Sequence, residues 1–169
     1  AYQNERSVGK AVVESGIPRD EIWITTKLWP SEYGRGKTTA AIDKMLERLG
    51  TDYLDYYLLH AVQDNNNQAY DDYQLWDWIR GLKEQGVIRH WGFSYHAGPE
   101  RLERLLTENP DIDFIQLQVN YADWENQRIT SRANYEVARA HGKQIVVMEP
   151  VKGGKLATPP ANVRALMDE

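Results

Sequence analysis

Short apolar runs alternate with amphipathic stretches along almost the whole chain. The runs that read as strands are Ile22–Lys27, Leu54–His60, Ile88–Tyr95, Asp113–Val119 and Gln144–Glu149. Their starts are 32, 34, 25 and 31 residues apart, which leaves room for a returning helix between each pair, as a parallel crossover requires. The intervening segments have helical periodicity. Thr38–Leu49 places Ala41, Met45 and Leu49 at i+4 steps beside Ile42 and Leu46, with Gly50 as a stop. Tyr73–Gln85 carries Leu75, Trp78, Ile79 and Leu82 before Gly86, and Pro99–Leu106 opens on proline and runs through Leu102, Leu105 and Leu106. Arg128–His141 ends at Gly142, and further helices are expected over Asn4–Ser15 and Ala161–Glu169. The polar patch Gln63–Gln68 follows a strand and reads as a surface loop.

Five parallel strands fit either an open doubly wound sheet or part of a (βα)8 TIM barrel. A whole barrel takes about 250 residues, so 169 residues hold an incomplete portion of one. No GxGxxG follows the first strand, where Lys27-Leu28-Trp29-Pro30 stands instead, and this weighs against a dinucleotide-binding doubly wound domain. No linker rich in Gly, Ser or Pro divides the chain, so residues 1–169 are expected to form one domain.

Composition narrows the function classes. There is no cysteine, hence no disulfide framework, thiolate nucleophile or cysteine-ligated metal within these residues. The net charge of -5 is spread along the chain and gives no reason to expect nucleic acid or an anionic membrane as partner. No apolar run approaches the 18 or so residues of a membrane helix. A soluble cytoplasmic protein is the expectation. His60, His90, His96 and His141 have no metal-ligand spacing, so no metal site is expected.

Both α/β architectures place their chemistry at the carboxyl ends of parallel strands. Those ends carry Thr26-Lys27, His60, Ser94-Tyr95-His96, Gln116-Gln118-Asn120 and Glu149. Lys27 is either a snorkelling lysine or an ammonium that lowers the pKa of a neighbouring acid. His60 is either a hydrogen-bonded strand-end residue or a proton-transfer group. Glu149 could serve a hydrolase, but Asp55 and Asp113 lie near strand starts and no other strand ends in a carboxylate, so the second acid of a retaining glycosidase is missing. Trp29 and Trp124 follow strand ends and, with Tyr95, are candidates for lining a substrate pocket.

Several motifs, in order, resemble the aldo/keto reductase family: Tyr2-Gln3-Asn4-Glu5 with Gly9, the TTK strand ending at Lys27, Arg48-Leu49-Gly50, and Asp52–His60 (DYLDYYLLH). The resemblance covers residue 1 to about residue 157. It implies an NADP-dependent oxidoreductase that reduces an aldehyde or ketone to an alcohol, with NADPH as cofactor and NADH as the alternative. Carried over by motif, Tyr2 would be the general acid, Lys27 would depress its pKa, and His60 would orient the carbonyl. Ser94 and Gln116 would contact the nicotinamide amide, and Met148 stands where many members stack a tyrosine on the ring.

Some features depart from the family pattern. The serine-asparagine pair appears as Ser94-Tyr95. The aspartate that the family sets five residues before the tyrosine, the remaining strands and the segment gripping the adenosine phosphate would lie outside residues 1–169. GFSYH and MEPVKGGKL resemble a bacterial predicted-oxidoreductase branch, some members of which carry an iron-sulphur extension. A small carbonyl compound is the expected partner, with self-association through the incomplete barrel. The competing reading is a non-enzymatic nucleotide-binding regulatory or assembly module of the same fold.

Overall fold

The computed structural model describes residues 3–65 and 67–167. The chain runs α1 (Glu5–Glu14), β1 (Thr25–Leu28), α2 (Lys37–Leu49), β2 (Leu54–Val62), α3 (Asn67–Asp72), α4 (Leu75–Glu84), β3 (Ile88–Tyr95), α5 (Pro99–Glu108), β4 (Phe114–Gln118), α6 (Ser131–Ala140), β5 (Gln144–Met148) and α7 (Ala161–Met167). The five strands form one sheet in the order β1-β2-β3-β4-β5, with every neighbouring pair parallel. A doubly wound sheet reverses its order at a switch point, whereas a barrel lays each strand beside its predecessor. The unbroken order therefore makes this sheet a portion of a (βα)8 barrel.

Register sorts the strand residues onto two faces. Leu28, Leu59, Phe93, Ile115 and Ile145 align across the sheet, and this row faces the helices. Trp76 of α4 packs against Trp91 and Phe93, and Trp78 against Tyr57, at ring separations of 6.1 to 6.3 Å. Ile42, Leu75, Ile79, Leu102 and Leu106 from the helices complete this core. The other row runs Lys27, Leu58, Gly92, Phe114 and Gln144 and looks toward the barrel interior. Gly92 serves close packing there, since a Cβ at that position would run into the Phe114 carbonyl oxygen.

The amino-terminal end of the sheet is closed by ion pairs. Buried Asp55 accepts from Arg19 and Arg89, each at 2.9 Å, and from the Ile24 amide at 2.9 Å. Both guanidinium groups lie over the Tyr53 ring, 4.0 and 4.2 Å from its centroid. Asp113 receives Lys83 Nζ at 2.6 Å and the Trp91 amide at 2.9 Å. These two carboxylates hold the end of the sheet opposite the strand-end candidates.

Several element boundaries depart from the sequence expectation; α6 begins at Ser131 rather than Arg128 and β2 runs on to Val62, and three further departures have a visible cause. Residues 22–24 precede β1: the Ile24 amide is satisfied by the Asp55 side chain, and Trp23 projects outward. The patch expected as loop over 63–68 leads into α3, anchored by Tyr70, which is fully buried. The helix expected from Tyr73 begins at Leu75, because Gln74 takes a left-handed conformation with φ 51° between α3 and α4.

Candidate active site

His60 stands where β2 loses its regular pairing. The register of β2 against β3 shifts between Leu59 and Val62, and Ala61 adopts φ 58°, which is unfavourable for a residue with a Cβ. The irregularity is tied down on both sides. Ser94 Oγ, completely buried on β3, accepts the Ala61 amide at 2.8 Å and lies 3.1 Å from His60 Nδ1. The His60 carbonyl receives the hydroxyls of Tyr33 and Tyr70, each at 3.1 Å. Trp29 packs edge-on against the imidazole at 4.7 Å between ring centroids.

Lys27 registers with Leu58, two residues before His60, so both side chains leave the interior face at its carboxyl end. Both are part-buried. Burial, then the positive charge of Lys27, then His96 push the His60 pKa down to about 4, so the imidazole is neutral at pH 7. Partial desolvation and Lys27 also lower the pKa of His96, at the exit of β3.

Ser94 registers with Gln116, and Gln118 with Met148, so Ser94, Gln116 and Met148 join the same face. The Gln116 Oε1 atom is buried and meets no hydrogen-bond partner among the described residues. A buried amide oxygen with an unused lone pair is costly unless something donates to it. It suits the carboxamide N–H of a nicotinamide, the group the family resemblance implies.

Tyr2 lies outside the described residues. Tyr95, expected in a substrate pocket, does not face one: strand alternation turns it to the helix side. There it is buried, its hydroxyl donates to the Gly98 carbonyl at 2.6 Å, and burial raises its pKa. Trp29 borders an open cleft of about 780 Å³ that runs between α1 and α2 past Arg6, Lys44 and Arg48. Neither Lys27 nor His60 lines that cleft. Trp124, on the β4–α6 loop, packs against Tyr135 of α6 at 5.4 Å.

Glu149 is exposed on a left-handed turn, φ 56°, and its carbonyl accepts from Asn120 Nδ2 at 3.1 Å. The same Asn120 amide donates to Asp123 Oδ2, as does Gln118, and Lys152 pairs with Asp123 Oδ1. Asp123 is thus a fully committed carboxylate, and no acid pair for glycoside hydrolysis forms there.

Tyr33, Tyr70 and the Asp123–Lys152 pair carry no sequence signal of their own. Tyr33 and Tyr70 come from two different connections and meet only because β1 and β2 are adjacent. The Asn120–Asp123 spacing is the one local hint, since an Asn side chain accepting the amide of a residue three further on is a common turn.

The aldo/keto reductase family model matches residues 1–166. The chain belongs to the aldo/keto reductase family. It is 52% identical over 159 residues to the 9,11-endoperoxide prostaglandin H2 reductase of Trypanosoma cruzi, an alignment covering 92% of this chain and 51% of that protein. It is 34% identical over 155 residues to the glyoxal reductase of Bacillus subtilis, covering 92% and 52%. Among solved structures, an aldo/keto reductase from Brucella melitensis superposes with TM-score 0.73 at 31% identity over 89% of this chain and 56% of that one. An aldo-keto reductase from a deep-sea metagenome library gives 0.77 at 26% identity, over 99% and 60%. This aldo/keto reductase chain spans about half the length of the curated relatives it matches.

Proposed function

We propose that residues 1–169 are the central part of one aldo/keto reductase barrel domain in an enzyme that reduces an aldehyde or ketone to an alcohol with NADPH, or with NADH as the alternative. The observation that carries this reading is convergence: Lys27, His60, Ser94, Gln116 and Met148, from five consecutive strands, share one face and one end of the sheet.

When bound, the nicotinamide supplies a hydride. Gln116 would hold its carboxamide through the unpartnered Oε1, with Ser94 and Met148 beside it. Neutral His60 donates a hydrogen bond to the carbonyl oxygen, orienting it and stabilising the negative charge that develops there. Tyr2 gives that oxygen its proton, and the Lys27 ammonium makes the phenol a better acid. Trp29 covers one side of His60 and limits water at the reacting atoms. The relatives reduce, by their names, a prostaglandin endoperoxide and glyoxal; for this chain a small aldehyde or ketone is the proposed substrate class. Self-association and a cytoplasmic setting are proposed as part of the same reading.

The test is titration of the full-length protein with NADPH by cofactor fluorescence, followed by addition of methylglyoxal as a probe carbonyl. Saturable binding with carbonyl-dependent NADPH oxidation is expected. Saturable binding without oxidation of any carbonyl in a broad screen would instead make it a nucleotide-binding module.

A further inference from the structure

A serine hydroxyl has one proton to give and two lone pairs to share. Ser94 Oγ has two hydrogen-bond partners among the described residues, the Ala61 amide at 2.8 Å and His60 Nδ1 at 3.1 Å. The amide can only donate, so it occupies a lone pair. The hydroxyl proton must then go to an acceptor, and Ser94 is completely buried, away from water. Among the described residues, His60 Nδ1 is the one acceptor within reach. The opposite arrangement, with Nδ1–H donating to Oγ, leaves the hydroxyl proton buried without a partner, which folded proteins avoid.

We propose that Ser94 is a positioning residue that donates to His60 Nδ1 and thereby holds the imidazole in the tautomer with its proton on Nε2. The inference rests on the carbonyl-reducing reading of this site, and extends it by naming what sets the donor. The surrounding contacts fit this role. Tyr33 and Tyr70 fix the His60 carbonyl, and Trp29 bounds one side of the ring. Ser94 also holds the Ala61 amide in its left-handed turn, so one hydroxyl sets both the backbone bend that aims His60 and the protonation pattern of its ring. With Nδ1 occupied, Nε2–H is the remaining polar group of the side chain, and it can only donate. A tautomer fixed in this way presents a donor to a carbonyl oxygen without a reorganisation step.

The full-length protein labelled with 15N-histidine provides the test, read from long-range 1H–15N correlations at pH 7. For wild type, His60 Nδ1 is expected to resonate as a bare nitrogen and Nε2 as a protonated one. Ser94→Ala should give averaged or reversed His60 shifts, and Ser94→Thr, which keeps the hydroxyl, should restore the wild-type pattern. In turnover, Ser94→Ala should lower kcat by roughly 10- to 100-fold, more than it changes KM. A protonated Nδ1 in wild type, or an unchanged tautomer in Ser94→Ala, would overturn the proposal. Should Ser94→Ala fail to fold, the wild-type spectrum alone decides. The spectrum needs no turnover, so an Nε2–H tautomer in a protein that reduces no carbonyl would refute the enzymatic reading and leave the Ser94 assignment standing.

Discussion

Lys152 Nζ pairs with the buried Asp123 carboxylate at 2.5 Å, tying the turn after β5 to the loop after β4. Asp123 also accepts from Gln118 and Asn120, each at 2.8 Å. Lys152, followed by Asn120, holds its pKa below the usual carboxylate value. The carboxyl mouth of the sheet is therefore closed on one side by a charge-assisted hub.

Removing the hub carboxylate strands three donors. Asp123→Ala should destabilise the protein by about 2–3 kcal/mol, less than the ~3–5 kcal/mol of a fully buried broken pair because Lys152 is partly solvated. Because the folded-state pKa is depressed, the stability from Asp123 is complete above its unfolded value of roughly 3.9 and is lost as pH falls through the folded one. Urea midpoints at pH 7 and pH 3 should accordingly differ less in Asp123→Asn than in wild type. Equal pH dependence in the two proteins would rule out this role.

His60 titrates in a different window. Its folded pKa of about 4 lies below the unfolded value of about 6.5, so between these pH values the unfolded chain binds the extra proton. Stability from keeping His60 neutral is full above pH 6.5 and declines as pH falls toward 4. Burial is the largest cause of this depression and the charge of Lys27 the next. His60→Gln should flatten the fall in urea midpoint between pH 6.5 and 4.5, and an NMR titration giving His60 a pKa near 6.5 would contradict the buried, lysine-adjacent setting.

Gly92 permits the close approach of β3 to β4, since a Cβ there meets the backbone carbonyl of Phe114. Backbone on both sides cannot yield as a flexible side chain would. Gly92→Ala should cost about 2 kcal/mol or more by forcing strain into a packed sheet. A thermal midpoint within a degree of wild type would show that the strands separate more easily than this packing implies.

Gln116 offers the unpartnered acceptor of the site. Gln116→Leu removes it at similar volume. In the full-length protein NADPH should then bind on the order of tenfold more weakly, the equivalent of one net hydrogen bond of about 1.4 kcal/mol. An unchanged dissociation constant would mean that Gln116 does not face the cofactor.

The periodicity of the chain was sufficient for all five strands because each is a short run with apolar residues, separated from the next by a helix with one apolar stripe. Register then placed Lys27, His60, Ser94, Gln116 and Met148 together, as residues two apart along parallel strands must share a face. The same period explains the failure at Tyr95: one residue beyond Ser94, it turns to the opposite side, and its adjacency in sequence to site residues was misleading. Residues 22–24 read as strand because Ile22 and Ile24 are apolar, yet the Ile24 amide donates to the Asp55 carboxylate instead of to a neighbouring strand. The Tyr33 and Tyr70 contacts on His60 join residues 37 apart in the chain to a third element, and no local pattern encodes such a meeting.

Lys27→Met tests the electrostatic part of the site without touching the cofactor contacts. Loss of the ammonium should lower kcat by roughly 100-fold or more, within the range that general acid catalysis supplies, while NADPH affinity changes little.

Carbonyl reduction on this face is tested by comparing wild type with Tyr2→Phe in single-turnover reduction of methylglyoxal by the full-length protein preloaded with NADPH. The phenylalanine keeps the ring and removes the proton donor. Rapid oxidation of NADPH in wild type, and a rate lower by several orders of magnitude in Tyr2→Phe with NADPH binding retained, is the predicted result. Equal rates in the two proteins would contradict the account.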